Sequence, residues 1–310
     1  MKTYAVYPGL EALQQASRTR RWLELTDVVE TLDEVSSYLS EATGKKEDIA
    51  AFLREHARPH RADMDRLFIA HTAMQVGISR AVMKQTRVDG LAGCSMGDLA
   101  RAAVSGATTL RQMIGIVWHL AQYRHLSPPG ELASVRPAEG IFDARQLEWL
   151  REGGLSLSLW SERYGALAAS SETIEALKPR GRELGLKINQ LYPYPFHSEL
   201  MRPVAESIRA LVQGWDIRPP AIPVYSSVFL RPIATADDVR EEALAGASNP
   251  VHWFETIRNL RNDFGVTRII NIGPTDTITA WIPQSAEFSD LDVVDAWDLC
   301  GGDVAEGRAA

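Results

Sequence analysis

Cysteine is scarce: Cys94 and Cys300 are the only two in 310 residues. Their surroundings in the sequence share nothing, and two thiols cannot build the disulfide framework of a stapled secreted domain, so a reducing compartment is expected. No apolar run approaches the ~20 residues of a membrane span. The segment after Met1 soon turns polar and lacks the basic region and apolar stretch of a signal peptide. A cytoplasmic protein with no membrane partner is the expectation. Positive charge is also in deficit, with 33 Lys and Arg against 40 Asp and Glu, for a net charge of -7. Binding a phosphate backbone needs a concentrated basic surface, and no long Lys/Arg block exists, so nucleic acid is excluded as a partner. A small or acylated substrate fits better. Internal repeats are absent, and the small, polar tail after Gly301 reads as frayed.

What is present is length enough for a substantial core, in one large domain or two unequal ones. Lys2–Tyr7 reads as a short buried strand, stopped by the turn at Pro8-Gly9. Residues 19–85 read as mostly helical. Val28, Leu32, Val35 and Leu39, then Leu67, Ile69, Ala73, Val76 and Ile78, recur at helical spacing and are read as core faces. Val88–Ala92 is a second strand candidate, with a helix over Met96–Ser105 directly after it. Beyond Ser127-Pro-Pro-Gly130 the order is strand Leu132–Val135, helix Ala144–Arg151, strands Leu155–Leu159 and Gly165–Ala169, helix Glu172–Leu184 and strand Leu186–Leu191. That β-α-β-β-α-β order is what a small ferredoxin-like insertion gives. A helix over Leu200–Val212 follows, and strands at Ile222–Val228 and Thr267–Ile272 flank a helix over Trp253–Asn262. Such alternation is consistent with a mainly parallel sheet.

Gly93-Cys-Ser-Met-Gly97 matches G-x-S-x-G, in which small residues let a sharp strand-to-helix turn expose a serine hydroxyl. Taken alone, Ser95 reads more simply as a helix N-cap than as a nucleophile. The strand–turn–helix setting favours the elbow, where the Met96 N–H and the positive helix end face a developing oxyanion; removing such a donor typically costs ~3–4 kcal/mol. A serine is a weak nucleophile and needs a base, so one of seven histidines should partner it. His56 and His60 sit in a charged stretch, His119 and His125 flank a helix end, and His71 lies within a helical stretch. For each of these a structural role is the simpler reading. His197 stands out because Tyr192-Pro-Tyr-Pro-Phe-His197 is a rigid, extended approach, although side-chain chemistry alone leaves the choice open.

Five segments then bear on the choice: Gly93-Cys-Ser-Met-Gly97, Phe196-His-Ser-Glu-Leu-Met201, Ile222-Pro-Val-Tyr-Ser-Ser227, Asn249-Pro-Val-His-Trp253 and Ile272-Gly-Pro274. In order and near spacing they resemble landmarks of malonyl-CoA:acyl carrier protein transacylases and polyketide-synthase acyltransferases. Tyr7-Pro-Gly9 resembles that family's F-P-G-Q-G-S-Q start, so the similarity covers essentially the whole chain. The resemblance implies an α/β fold: an α/β-hydrolase-like large domain with a parallel-sheet core from residues 1–127 and 198–310, and a ferredoxin-like small domain from residues 128–197, with the site in the cleft between them. It implies Ser95 as acyl carrier, His197 as general base and acid, Met96 and Leu10 as backbone donors of the oxyanion hole, and the backbone carbonyl of His252 as orienter of the imidazole. No metal and no bound cofactor are implied; a phosphopantetheine thioester, of CoA or of an acyl carrier protein, is the substrate. Asp98 takes the place of an acidic residue after the elbow, where stabilising the first helical turn is its simplest role.

Several positions depart from the family. Leu10 stands where the family has glutamine, and Cys94 replaces the histidine before the nucleophile. Cys94 as a second nucleophile is disfavoured, because that position usually points inward. Counted without gaps from Ser95, the arginine that grips malonate falls at Leu120. Leucine offers only apolar surface, and a buried malonyl carboxylate would stay unpaired. Arg124, one helical turn on, is a possible replacement. The expectation is an uncharged acyl group in a pocket shaped by Trp118, Leu120 and Phe196, moved to an acyl carrier protein in polyketide or fatty-acid assembly. Two rivals are a carrier-protein thioesterase using the same serine and a catalytically silent carrier-binding scaffold. Carrier proteins are acidic, so Lys178, Arg180, Arg182 and Arg202 are candidate docking residues; a solvated charged face is the alternative.

Overall fold

The computed structural model describes residues 1–9, 16–55, 63–152 and 155–301. Leu10, His56, His60 and the tail beyond Gly301 lie outside the described residues. Among those described, no helix is long and apolar enough to cross a membrane.

The chain builds two sheets. The larger contains β1 (Thr3–Tyr7), β2 (Gly90–Gly93), β7 (Val224–Tyr225), β8 (Pro232–Ile233), β9 (Arg268–Asn271) and β10 (Asp292–Asp295), in the order β10-β9-β1-β2-β7-β8. Its first five strands run parallel and only β8 is antiparallel. β1 is buried throughout, as a strand covered on both faces must be. The helical reading of residues 19–85 corresponds to α1 (Ala16–Arg21), α2 (Thr26–Thr43), α3 (Ile49–Glu55) and α4 (Met64–Gln85). α5 (Gly97–Val104) and α6 (Leu110–Tyr123) follow, and α6 opens with a capping box between Thr109 and Gln112.

The smaller sheet holds β3 (Glu131–Pro137), β4 (Ser156–Ser161), β5 (Tyr164–Ala169) and β6 (Leu186–Tyr192), in the order β4-β5-β3-β6, all antiparallel. With α7 (Ala144–Glu152) and α8 (Ser171–Glu183) this is the ferredoxin-like arrangement. Its own apolar core includes Val135, Leu150, Leu167 and Ile174. The chain then returns to the large unit through α9 (Arg202–Val212), α10 (Ala236–Ala245), α11 (Trp253–Asn262) and α12 (Ala296–Cys300). The fold is therefore α/β, a parallel-sheet core with an antiparallel small unit inserted.

The strand expected over Ile222–Val228 shrinks to Val224–Tyr225. Ser226 ends it by accepting the N–H groups of Val228 and Phe229 on its hydroxyl, at 3.2 and 3.0 Å. Such a turn competes locally with the ladder.

Candidate active site

The elbow comes from close packing between β1, β2 and α5. A Cβ on Gly93 would lie 2.4 Å from Asp98 Oδ1, and one on Gly97 would lie 2.1 Å from the Tyr7 carbonyl oxygen. Only glycine fits at either place. Between them Ser95 adopts φ 58°, a left-handed conformation that costs a side-chain-bearing residue ~1–3 kcal/mol and persists where neighbours impose it. Its Oγ lies 2.8 Å from His197 Nε2. The Met96 N–H donates to no acceptor among the described residues. Cys94 is buried beneath the turn, with its N–H on the Tyr7 carbonyl at 2.9 Å. The strand end before it is anchored too: His71 Nε2 and Gln75 Nε2 meet the Pro8 carbonyl at 2.9 and 2.8 Å, and Gln75 also bonds the Gly273 carbonyl at 3.0 Å.

His197 is held in a second left-handed conformation, φ 66°. Its N–H donates to the Ala247 carbonyl at 2.8 Å, and its own carbonyl accepts from the Ser156 hydroxyl of β4. The small unit therefore grips the backbone of the residue that meets Ser95. Burial pushes the imidazole pKa down to about 4, against an upward pull from the Gly246 and Asn249 carbonyls. A neutral ring with its hydrogen on Nδ1 suits both sides, since Nε2 then accepts the serine proton. Nδ1 faces those two carbonyls without a hydrogen bond of normal geometry.

The expected orienting role of His252 needs correction. As N-cap of α11 its carbonyl is consumed by the first turn, accepting from Thr256 N at 2.9 Å and Thr256 Oγ1 at 2.7 Å. Gly246 and Asn249 supply the carbonyls at the imidazole instead.

Ser95 and His197 open on a cavity of about 100 Å³. Leu120 and Phe196 line it, and Trp118 does not. The α6 residues on the wall are Met113, Ile116 and Leu120, at helical spacing, which puts Trp118 on another face against the main core. Arg124 is no substitute cation either. It pairs with Asp65 at 2.7 Å, lies over the Tyr194 ring at 5.3 Å and is off the cavity wall. The wall carries two carboxylates, Asp98 and Glu242, and no Lys or Arg among the described residues. Both carboxylates are tied to Arg101, which is 1% exposed, at 2.8 and 2.7 Å. Burial pushes the Asp98 pKa up, while Arg101 opposes that shift.

The candidate docking residues lie on the surface. Lys178 pairs with Glu175, Arg180 with Glu183 at 2.7 Å and Arg202 with Glu199; Arg182 is exposed. Local pairs of this kind contribute little to stability and leave the cations accessible. Ser156, Arg101, Glu242 and the Gly246 carbonyl escaped the sequence reading. Only Ser156 left a trace, in the Ser-Leu-Ser-Leu alternation of β4.

No protein-family model matches the chain. Curated relatives include the malonyl CoA-acyl carrier protein transacylase of Bacillus subtilis, 25% identical over 220 residues that span 66% of this chain and 69% of that protein. The polyketide biosynthesis protein ThaF of Burkholderia thailandensis is 27% identical over 209 residues, 64% of this chain but 18% of its own length. Among solved structures, the acyl-carrier-protein S-malonyltransferase of Burkholderia pseudomallei superimposes with a TM-score of 0.83 at 21% identity, covering 100% of both chains. A malonyl-transacylase in complex with a type II polyketide-synthase acyl-carrier protein superimposes with a TM-score of 0.78 at 20% identity, covering 95% of this chain and 96% of that one. The chain has the fold of the malonyl-CoA:acyl carrier protein transacylases and polyketide-synthase acyltransferases, the family that its motifs resemble.

Proposed function

We propose that this protein is a serine acyltransferase that moves an uncharged acyl group from a phosphopantetheine thioester to an acyl carrier protein. The observation that carries the reading is the 2.8 Å contact of Ser95 Oγ with His197 Nε2, opening on a cavity whose described wall bears no cation. Ser95 Oγ attacks the thioester carbonyl as His197 Nε2 takes its proton. The Met96 N–H stabilises the tetrahedral oxyanion; the second donor implied by the resemblance, Leu10 N–H, lies beyond the described residues. Collapse breaks the carbon–sulfur bond, and the departing thiolate receives the proton from His197. An acceptor thiol then gives its own proton to His197 and attacks the acyl-serine carbonyl, and as the carbon–oxygen bond breaks His197 returns that proton to Ser95 Oγ. No cofactor enters the sequence.

Selection against malonyl follows from the wall. A substrate carboxylate would be buried beside Asp98 and Glu242 with no Lys or Arg on the described wall to pair with it, which costs several kcal/mol. The carrier-protein acceptor is supported by the relatives and by the neighbour solved with a carrier protein bound. The test uses radiolabelled butanoyl-CoA with holo-carrier protein. Label should pass to the carrier thiol with wild-type protein and not with Ser95→Ala. Release of free butanoate in place of transfer would identify a hydrolase, and carrier binding without any label on the protein would identify a scaffold.

A further inference from the structure

Helices α5, α6, α9 and α10 wall most of the cavity beyond Ser95, and together they give it a direction. α5 leads away from the serine, and the Thr108 N–H at the start of the next segment meets the Ala102 carbonyl near the far end of that helix, at 3.4 Å. α6 runs back toward the site, since Arg124 at its C-terminal end lies over Tyr194, three residues before His197. Its wall residues, Leu120, Ile116 and Met113, therefore run from the catalytic end to the far end, a rise of about 10 Å. α9 and α10 close the remaining sides. At the far end Trp215 lies over Gly115 of α6, where a Cβ would sit 3.6 Å from the indole Cζ2. The indole stands where the channel stops.

We propose that this channel is an acyl-tail site that measures chain length, holding a straight apolar tail of about four to five carbons beyond the thioester carbonyl. The proposal rests on the acyl-serine reading above. The length follows from volume. An apolar cavity of about 150 Å³ holds the six carbons of benzene, and the space here is about 100 Å³. An acetyl group leaves most of that space unfilled, and a decanoyl tail meets Trp215. Thr108 is buried at the same end with its hydroxyl unpartnered, so the stop is an apolar ring edge beside a hydroxyl that has no bond of its own to lose.

Single-turnover acylation of Ser95 by acetyl-, butanoyl-, hexanoyl- and decanoyl-CoA tests this directly. The rate should climb several-fold with each added methylene up to hexanoyl, because each buries more apolar surface, and fall at least tenfold at decanoyl. Trp215→Ala should raise the decanoyl-to-hexanoyl ratio at least tenfold by opening the far end. Ala102→Phe should lower the hexanoyl-to-acetyl ratio at least tenfold by filling the far part of the channel. Thermal melting of each variant accompanies the rates, and Trp215→Ala alone decides the matter if Ala102→Phe does not fold. Acetyl as the fastest donor, a flat ladder, or a Trp215→Ala ratio equal to wild type overturns the channel while leaving the acyl-serine reading intact. Absence of any adduct on Ser95 with every thioester overturns both.

Discussion

Leu120→Arg restores at one position the cation that the resemblance places there, and its consequences follow from the cavity wall. Leu120 is 8% exposed, so a guanidinium there leaves water. Asp98 and Glu242 share that wall but already hold Arg101, and they can compensate the new charge only in part. A stability loss of about 3 kcal/mol is expected, on the scale of an incompletely paired buried charge. For substrates the sign reverses. Hydrogen bonds to an ionised carboxylate contribute about 1.5–3 kcal/mol each, and losing the leucine surface costs an apolar tail about 2 kcal/mol. The malonyl-to-hexanoyl preference should therefore rise by at least a hundredfold, since about 1.4 kcal/mol is a factor of ten. The assay is competition: equal malonyl-CoA and hexanoyl-CoA, rapid quenching, and the two adduct masses on the intact chain. Wild-type protein that already favours malonyl, or a variant whose ratio moves less than threefold, refutes the assignment of Leu120 as the selecting residue.

Ser156→Ala frees the carbonyl of His197 from its contact with β4, and losing such a bond costs about 1–3 kcal/mol, so kcat should fall roughly five- to hundredfold with KM little changed; recovery in Ser156→Thr would mark positioning, and an unchanged kcat would remove Ser156 from the mechanism. His197 and His71 are both pushed down to about 4 by burial. Folding thus favours their neutral forms: that stability is complete above the unfolded value of about 6.5 and is lost as pH falls toward 4. The acid limb of Ser95 acylation should accordingly lie below pH 6.5, and a midpoint at or above 6.5 in rapid-quench rates would contradict the buried neutral base. Reversing Arg180 and Arg182 to Glu should slow transfer to a carrier protein, most at low salt, with transfer to free pantetheine nearly unaltered; equal losses with both acceptors would place the damage in the site itself.

Local chemistry carried much of the fold and the candidate dyad. Gly93 and Gly97 announce the elbow because each sits where a Cβ would collide with Asp98 or Tyr7, and such a requirement is written in the residue itself. The alternation of strands and helices over residues 131–192 was equally open to reading, since period and turn residues suffice. What stayed hidden depends on long-range approach. β7 and β8 are two residues each and exist only because neighbouring chain pairs with them. The carbonyls of Gly246 and Asn249 reach the imidazole through the loop after α10, and no pattern marks a backbone oxygen. Trp118 was misplaced because one helix face cannot be told from the next until the packing partners are known. The Thr235–Asp238 capping box that opens α10 is, by contrast, a local signal carried by the residues themselves.

The acyl-enzyme itself is the most direct measurement of the account. Mixing wild-type protein with excess hexanoyl-CoA, in the absence of an acceptor thiol, should add one hexanoyl mass per chain, with peptide mapping placing it on Ser95. His197→Ala should slow its formation by several orders of magnitude, and Ser95→Ala should show none. An adduct that persists on Ser95→Ala, or that maps to Cys94, would contradict the account.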